Sequence, residues 1–402
     1  MATLCKNCAA PLVFDPKTQK VVCHSCGTSF DPQTIDVHEE YPELSDVDQE
    51  TKNTYIHNYM ACKVYTCQSC GGEIFIHGSE VSTKCIYCGN SSVIFSRISK
   101  EKAPDFVLPF KLTREEAVAS IRKTFKKRPF IPKEIRNIDP DMVRGIYVPY
   151  KIVNGRHFES AIVRSEVSSG DSHETIYSGR SGTMQFRNLP VDASYMLSNE
   201  SSQQLEPFDL LELQEFNESY LLGFYSNAAD SPDEMIQKMT AIRAANAFNS
   251  QAIQTVKGSS ARVCRCDAET YINRDAVSYA LLPVWFATYH YRGKHQTIMV
   301  NAQTGKVVGG LPWDEDLVYR VSILLAVIGT ILFSIITRYI VGLFSHPKDF
   351  EDVMCLVFYW FFPAITGFTL SFYAEKRMEK VKRKLKLTQA SSIFNFAKKR
   401  QE

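Results

Sequence analysis

Missing from these 402 residues are two short signatures of hydrolytic sites: no GxSxG and no HExxH occurs. The stretch Gln303-Thr-Gly305-Lys306 lacks the glycine spacing of a phosphate loop and reads as a hairpin turn. His157, His173, His290 and His295 form no metal-ligand spacing, and Glu206, Asp209 and Glu212 read as a solvated helix face. No enzyme is expected. The opening MATLCKNC also lacks an apolar signal core, which points to a reducing compartment. Charge excess is small: the total is +2, and residues 375–402 hold ten Lys/Arg against three Asp/Glu, leaving −5 for the rest. That argues against a broad DNA-binding surface. With 45% apolar and 22% charged residues, the chain is neither disordered nor polytopic, and its length suits two to four domains.

Cysteine, in contrast, is abundant and ordered. Eight of the twelve fall in CxxC pairs: Cys5, Cys8, Cys23 and Cys26 are spaced C-x2-C-x14-C-x2-C, and Cys67, Cys70, Cys85 and Cys88 repeat that spacing 62 residues on. Each quartet offers four soft sulfurs, the donor set of a closed tetrahedral Zn²⁺ site, with Gly27 and Gly89 suited to the turn after a knuckle. Redox dithiols and rubredoxin-like iron are the alternatives. The β-prone runs Pro11–Phe14, Lys20–Val22 and Glu73–Ile76 lie between the pairs, so two zinc ribbons are expected, at 1–30 and 63–100, with two structural zinc ions. His24 is expected to face solvent, and Cys62, Cys264, Cys266 and Cys355 to be ordinary residues. Each ribbon has a side-chain charge of +2, which a Zn(Cys)₄ centre brings to about neutral. The segment 31–62, an expected linker, carries eight acidic residues and one Lys. Protein recognition fits these ribbons better than nucleic acid.

From 104 to 313 the pattern becomes mixed, and an α+β domain with antiparallel strands is expected. Thr113-x-x-Glu116 is a capping box opening a helix to about Lys127, and Ser231-Pro-Asp-Glu234 opens another to about Ala252. Strands are expected at Gly145–Tyr150, Phe158–Val163 and Ala280–Tyr291, the last continuing as a meander through 296–301 and 306–308. Pro109, Pro149 and Pro283 place their segments at edges or bulges.

Residues 321–337 and 353–373 contain no charge, and a two-helix transmembrane hairpin is expected at 317–344 and 353–373. Seven Lys/Arg between Lys376 and Lys386, against Lys348 alone between the two segments, would place a basic tail, 375–402, on the cytoplasmic side. The expected localisation is therefore the cell membrane, with both termini cytoplasmic and the tail against anionic lipid.

The second ribbon, Cys67-Gln-Ser-Cys70-Gly-Gly with Cys85-Ile-Tyr-Cys88-Gly-Asn, runs into Leu108-Pro-Phe-Lys-Leu-Thr-Arg-Glu-Glu-Ala117. Gly145-Ile-Tyr-Val-Pro-Tyr150, Pro190-Val-Asp-Ala-Ser194, Leu281-Leu-Pro-Val-Trp285 and Asn301-Ala-Gln-Thr-Gly-Lys306 follow. In these motifs the chain resembles the bacterial TFIIB-type zinc-ribbon membrane proteins, several of which accompany phage-shock-protein-A-like and flotillin-like (SPFH) proteins. The resemblance implies a membrane-anchored, non-enzymatic adaptor that docks cytosolic or membrane proteins, in envelope stress. The alternative is a tethered reader of nucleic acid or the transcription machinery.

Overall fold

The computed structural model describes residues 4–35, 59–76, 84–126, most of 131–309 and isolated positions between 317 and 383. The first ribbon is a three-stranded sheet of β1 (Leu12–Asp15), β2 (Lys20–Cys23) and β3 (Ser29–Phe30), in that spatial order. The other strands among the described residues join one twelve-stranded sheet. Its strands are β4 (Tyr59–Cys67), β5 (Glu73–Ile76), β6 (Val93–Lys102), β7 (Phe106–Val107), β8 (Val143–Ser169), β9 (Ser172–Asp192), β10 (Gln214–Glu215), β11 (Tyr225–Ser226), β12 (Ser259–Ile272), β13 (Ser278–Tyr291), β14 (Lys294–Asn301) and β15 (Val307–Val308). The main path runs β10-β7-β13-β8-β11-β5-β4-β6, with β9 and β12 paired to the far part of β8 and β14 to β13. Three α-helices occur among the described residues: α1 (Arg114–Lys126), α2 (Asn199–Leu205) and α3 (Asp233–Gln254).

Alternation along the central strands decides which face each side chain enters. On β8 and β13, Val143, Tyr147, Leu281, Trp285 and Ala287 point to one face, where Ala117, Ile121 and Phe125 of α1 and Leu12, Phe14 and Val21 of the first ribbon cover them. Ile146, Val148, Tyr150, Leu282, Val284 and Phe286 point to the other, against Ile86, Tyr87 and the four cysteines of the second ribbon. The two cysteine quartets thus lie on opposite faces of one sheet.

Three expectations are corrected. First, the second ribbon is not a small module beside a separate α+β domain: the fold is mostly β, and the ribbon's strands belong to the same large sheet as the strands expected in the α+β domain. Val64, Ile74, Phe75 and Ile76 are all buried, leaving β4 and β5 without the solvated face an isolated ribbon needs; β5 instead pairs with β11, and β11 with β8. Second, Pro149 and Pro283 lie within central strands rather than at sheet edges. Each falls where one flanking strand gives way to the next. Beside Pro149, β11 has ended at Tyr147 and β9 begins opposite Tyr150; beside Pro283, β7 has ended at Leu281 and β14 begins opposite Val284. The missing N–H therefore falls in a gap of the ladder.

Third, the transmembrane hairpin is withdrawn, and with it the two-span cell-membrane localisation. A span needs about 20 consecutive apolar helical residues, and no helix among the described residues is long and apolar enough to cross a membrane. Within the two expected spans only Leu317, Arg320, Val321, Leu324, Ile335 and Tyr339 are described, as separate helical positions; the rest of 317–344, all of 353–373 and most of the basic tail lie outside the described residues.

Candidate metal centres

The eight cysteines singled out by their spacing come together in two groups of four that could each hold a metal ion. In each quartet the four sulfurs lie within 4.8 Å of one another. In the first, Cys5 Sγ is 3.6 Å from Cys26 Sγ and Cys8 Sγ 3.4 Å from Cys23 Sγ. In the second, Cys67 and Cys88 are 3.6 Å apart and Cys70 and Cys85 3.5 Å. Sulfurs bound about 2.3 Å from a tetrahedral ion sit about 3.8 Å apart, whereas a disulfide would bring a pair to about 2.05 Å. Both quartets can therefore hold a metal ion and are compatible with zinc ribbons. His24 is exposed and outside the first quartet, as expected.

The backbone explains how four separate knuckles reach one geometry. After each CxxC the next residue is left-handed: Ala9 (φ 58°), Gly27 (74°), Gly71 (67°) and Gly89 (72°). The N–H of each donates to the carbonyl of the first cysteine in its pair, at 2.7–2.9 Å. That first cysteine's own N–H donates five residues ahead, to Ala10, Thr28, Gly72 and Asn90. Gly27 and Gly89 are legible in the sequence as turn residues. Gly71 and Ala9 become so only when the four pairs are aligned on one another, since a non-glycine at Ala9 hides the pattern.

Four thiols this close cannot all ionise without a cation. In the first quartet, hydrogen bonds from Thr28, its side-chain hydroxyl foremost, hold the Cys26 thiol down to about 6. The Ala10 backbone acts to lower Cys8, but the neighbouring Cys23 and Cys26 thiols push it up to about 12. The second quartet divides similarly: Cys67 is lowered, chiefly by the adjacent Cys70, while Cys70 and Cys85 are raised, chiefly by Cys67. A divalent cation removes the conflict by taking all four as thiolates.

The two centres differ in their surroundings. Cys8 and Cys26 are exposed, whereas all four sulfurs of the second quartet belong to buried residues. The Cys85–Cys88 knuckle is locked onto the main sheet: Thr288 Oγ1 donates to Ile86 O at 2.8 Å and Thr297 Oγ1 to Tyr87 O at 3.2 Å. Tyr87 is wholly buried, its hydroxyl donating to Asn227 Oδ1 at 2.5 Å and its ring edge-on to Phe286. The first ribbon docks more lightly. Phe14 meets Tyr220 at 5.2 Å between ring centres, Phe14 N–H donates to Leu222 O, and Gln19 Nε2 donates to Phe110 O at 2.7 Å. Cys62 is buried with Sγ 3.6 Å from Ser99 O, and Cys264 and Cys266 are exposed on β12; none of them joins a quartet.

The fold and its sulfur sites define a β-rich chain with two Cys₄ centres on opposite faces of one sheet. Compared with known proteins, it is 27% identical over 320 residues to the uncharacterized protein YdjG of Bacillus subtilis (strain 168), an alignment covering 77% of this chain and 89% of that protein. No family model matches the chain, and no solved structure matches it.

Proposed function

We propose that this chain is a non-enzymatic adaptor whose two zinc ions are structural, each held by one quartet: Cys5, Cys8, Cys23 and Cys26, and Cys67, Cys70, Cys85 and Cys88. The burial of the second quartet carries the reading. Four protein sulfurs lie within 4.8 Å of one another there, enough to complete a tetrahedron about one ion and leave no coordination position for a substrate or an activated water. The metal's contribution is to fix strands to the main sheet. The resemblance to TFIIB-type zinc-ribbon proteins supports phage-shock-protein-A-like or SPFH proteins as the partners to test.

Two measurements test this reading. Elemental analysis of the purified chain should give two zincs, and Cys23→Ser should remove one and leave the other. Purified phage-shock-protein-A-like or SPFH candidates should then bind the zinc-loaded chain; a chain with one zinc or none, or with no affinity for any of them, contradicts the adaptor reading.

A further inference from the structure

Beyond the metal centres, the far half of β8 carries a second organised surface. From Arg156 to Val163 burial alternates strictly: His157, Glu159, Ala161 and Val163 are buried, while Arg156, Phe158, Ser160 and Ile162 are exposed. α3 covers the first set, with Phe248 against His157 at 6.0 Å between rings and Arg180, opposite Ala161, bonded to Thr255 just past the helix. The other face of this three-stranded sheet, β9-β8-β12, has no element of the described structure upon it.

Register arranges that open face in rows. β12 sets Glu269 beside Phe158, Asp267 beside Ser160, Arg265 beside Ile162 and Arg262 beside Arg164. β9 sets Thr183, Ser181, Gly179 and Tyr177 on the opposite flank of the same rows. Ser160 Oγ and Ser181 Oγ, 2.8 Å apart, confirm the shared face. One end is therefore acidic and hydroxyl-rich, with a shallow cavity of about 370 Å³ among Phe158, Ser160, Ser181, Thr183, Asp267 and Glu269. The other end is basic, with Arg164, Arg262 and Arg265 around Ile162 and Tyr177. Two arginines directly opposite each other, Arg164 and Arg262, repel unless an anion lies near; Glu166 reaches Arg164 at 3.3 Å, which leaves Arg262 and Arg265 for a partner.

We propose that this face binds a second copy of the same chain, forming a two-fold dimer by face-to-face sheet packing. The charge order selects both the occupant and its orientation. A two-fold axis lying in the interface and crossing β8 at Ala161 reverses the rows. Arg265 then meets Asp267 of the second copy, Arg262 meets Glu269, Arg156 meets Glu166, and Arg164 lies over the Phe158 ring. Ile162 of each copy enters the hydroxyl-lined cavity of the other. An axis along the strands would instead stack basic rows on basic rows. Three strands about 4.8 Å apart over about ten residues give a plane of roughly 500 Å² on each copy, at the small end of specific interfaces, so the dimer is expected to be weak and concentration-dependent.

Sedimentation velocity on the full zinc-loaded chain tests this. The wild type should reach dimer mass below about 100 μM, and raising salt from about 50 to 500 mM should weaken it. Arg265→Asp and Asp267→Arg should each raise the dissociation constant tenfold or more, and the double variant should restore it, because the two positions meet across the axis. Arg156→Glu with Glu166→Arg repeats the exchange at the ends of the face should the first pair fail to fold. A chain that stays monomeric over that range, a dimer indifferent to both reversals, or a double exchange without recovery overturns the proposal. So does a monomer that binds oligothymidylate through Arg262 and Tyr177, which would make the face a single-strand surface.

Discussion

Replacing one buried ligand in each quartet, Cys23→Ser and Cys85→Ser, should give unequal losses. A structural zinc contributes about 10–16 kcal/mol to the folding of a small domain, and a serine in place of one thiolate forfeits most of it. The first ribbon holds to the body mainly through Leu12, Phe14, Val21 and Ile35, too small an apolar set to offset the conformational entropy of its chain once the metal is gone. Without metal the ribbon should therefore leave the sheet, while α1, β8 and β13 keep their mutual packing. Uncovering part of the Phe110, Tyr147 and Phe224 cluster should cost the body about 2–3 kcal/mol, a fall of about 5–10 °C in its transition. Cys85 lies in the second core, among Ile146, Val148, Leu282 and Phe286. Among the described residues β4, β5 and β6 are hydrogen-bonded to β8 only through the two-residue β11, so much of their hold on the main sheet comes from the knuckle and from Tyr65, Ile74 and Ile76 packed beside it. Losing that site should remove most of a total stability of about 5–15 kcal/mol. Zinc content, calorimetry and amide exchange along β8 and β13 would read the difference. The reasoning fails if Cys85→Ser loses one zinc but keeps exchange protection in both strands, or if Cys23→Ser collapses the whole sheet.

Ala9→Gly should slow zinc release from the first quartet to a chromogenic chelator, because an alanine at φ 58° bears a left-handed penalty of about 1–2 kcal/mol, only part of which the extra chain entropy of glycine offsets; faster release would contradict this. Gly145→Ala should destabilise by about 1–3 kcal/mol, since a Cβ there collides with the Phe224 ring and comes 3.1 Å from Phe110 Cζ; an unchanged denaturant midpoint would show that the stacked rings can part. Asp192 is buried, and desolvation, its largest influence, raises its carboxyl well above the ordinary value. A folded-state pKa raised in this way stabilises below about pH 4 and is lost as pH rises through the folded pKa. Asp192→Asn keeps the acceptor for Ser194 N–H, 2.9 Å away, so it should match wild type in acid and exceed it at pH 8. A urea midpoint at pH 8 below wild type would show that the charge is compensated.

Which parts of this molecule can be read from its residues follows from where the folding information is local. The quartets are legible because metal chemistry fixes ligand type and spacing within a few residues, and all eight cysteines assemble as their spacing implies. The capping box is equally local: Glu116 Oε2 accepts from Thr113 N–H at 2.8 Å and Thr113 Oγ1 from Glu116 N–H at 3.3 Å, as the pattern requires. Ser231-Pro-Asp-Glu234 announces its helix too, although Pro232 occupies the N-cap and Asp233 begins the first turn. The meander from β13 through β14 to β15 is antiparallel, as alternation and turns indicate. What escapes is whatever depends on a distant partner. β9, SHETIYSGRSGTMQFRNLPVD, is polar and holds two glycines, yet it extends for 21 residues because β8 supplies a ladder from Tyr150 to Ser169. β6 is invisible for the same reason: VIFSRISKEK follows neither period, and β4 alone fixes it. Spacing could say that two similar ribbons exist, but not that they would meet opposite faces of one sheet. That outcome depends on the burial of Ile74, Ile76 and Tyr87 on one side and of Leu12, Phe14 and Val21 on the other. The difference between the copies therefore resides in the residues between the cysteines: Ile86-Tyr87 gives the second knuckle a core to enter, while His24-Ser25 leaves the corresponding knuckle of the first in solvent.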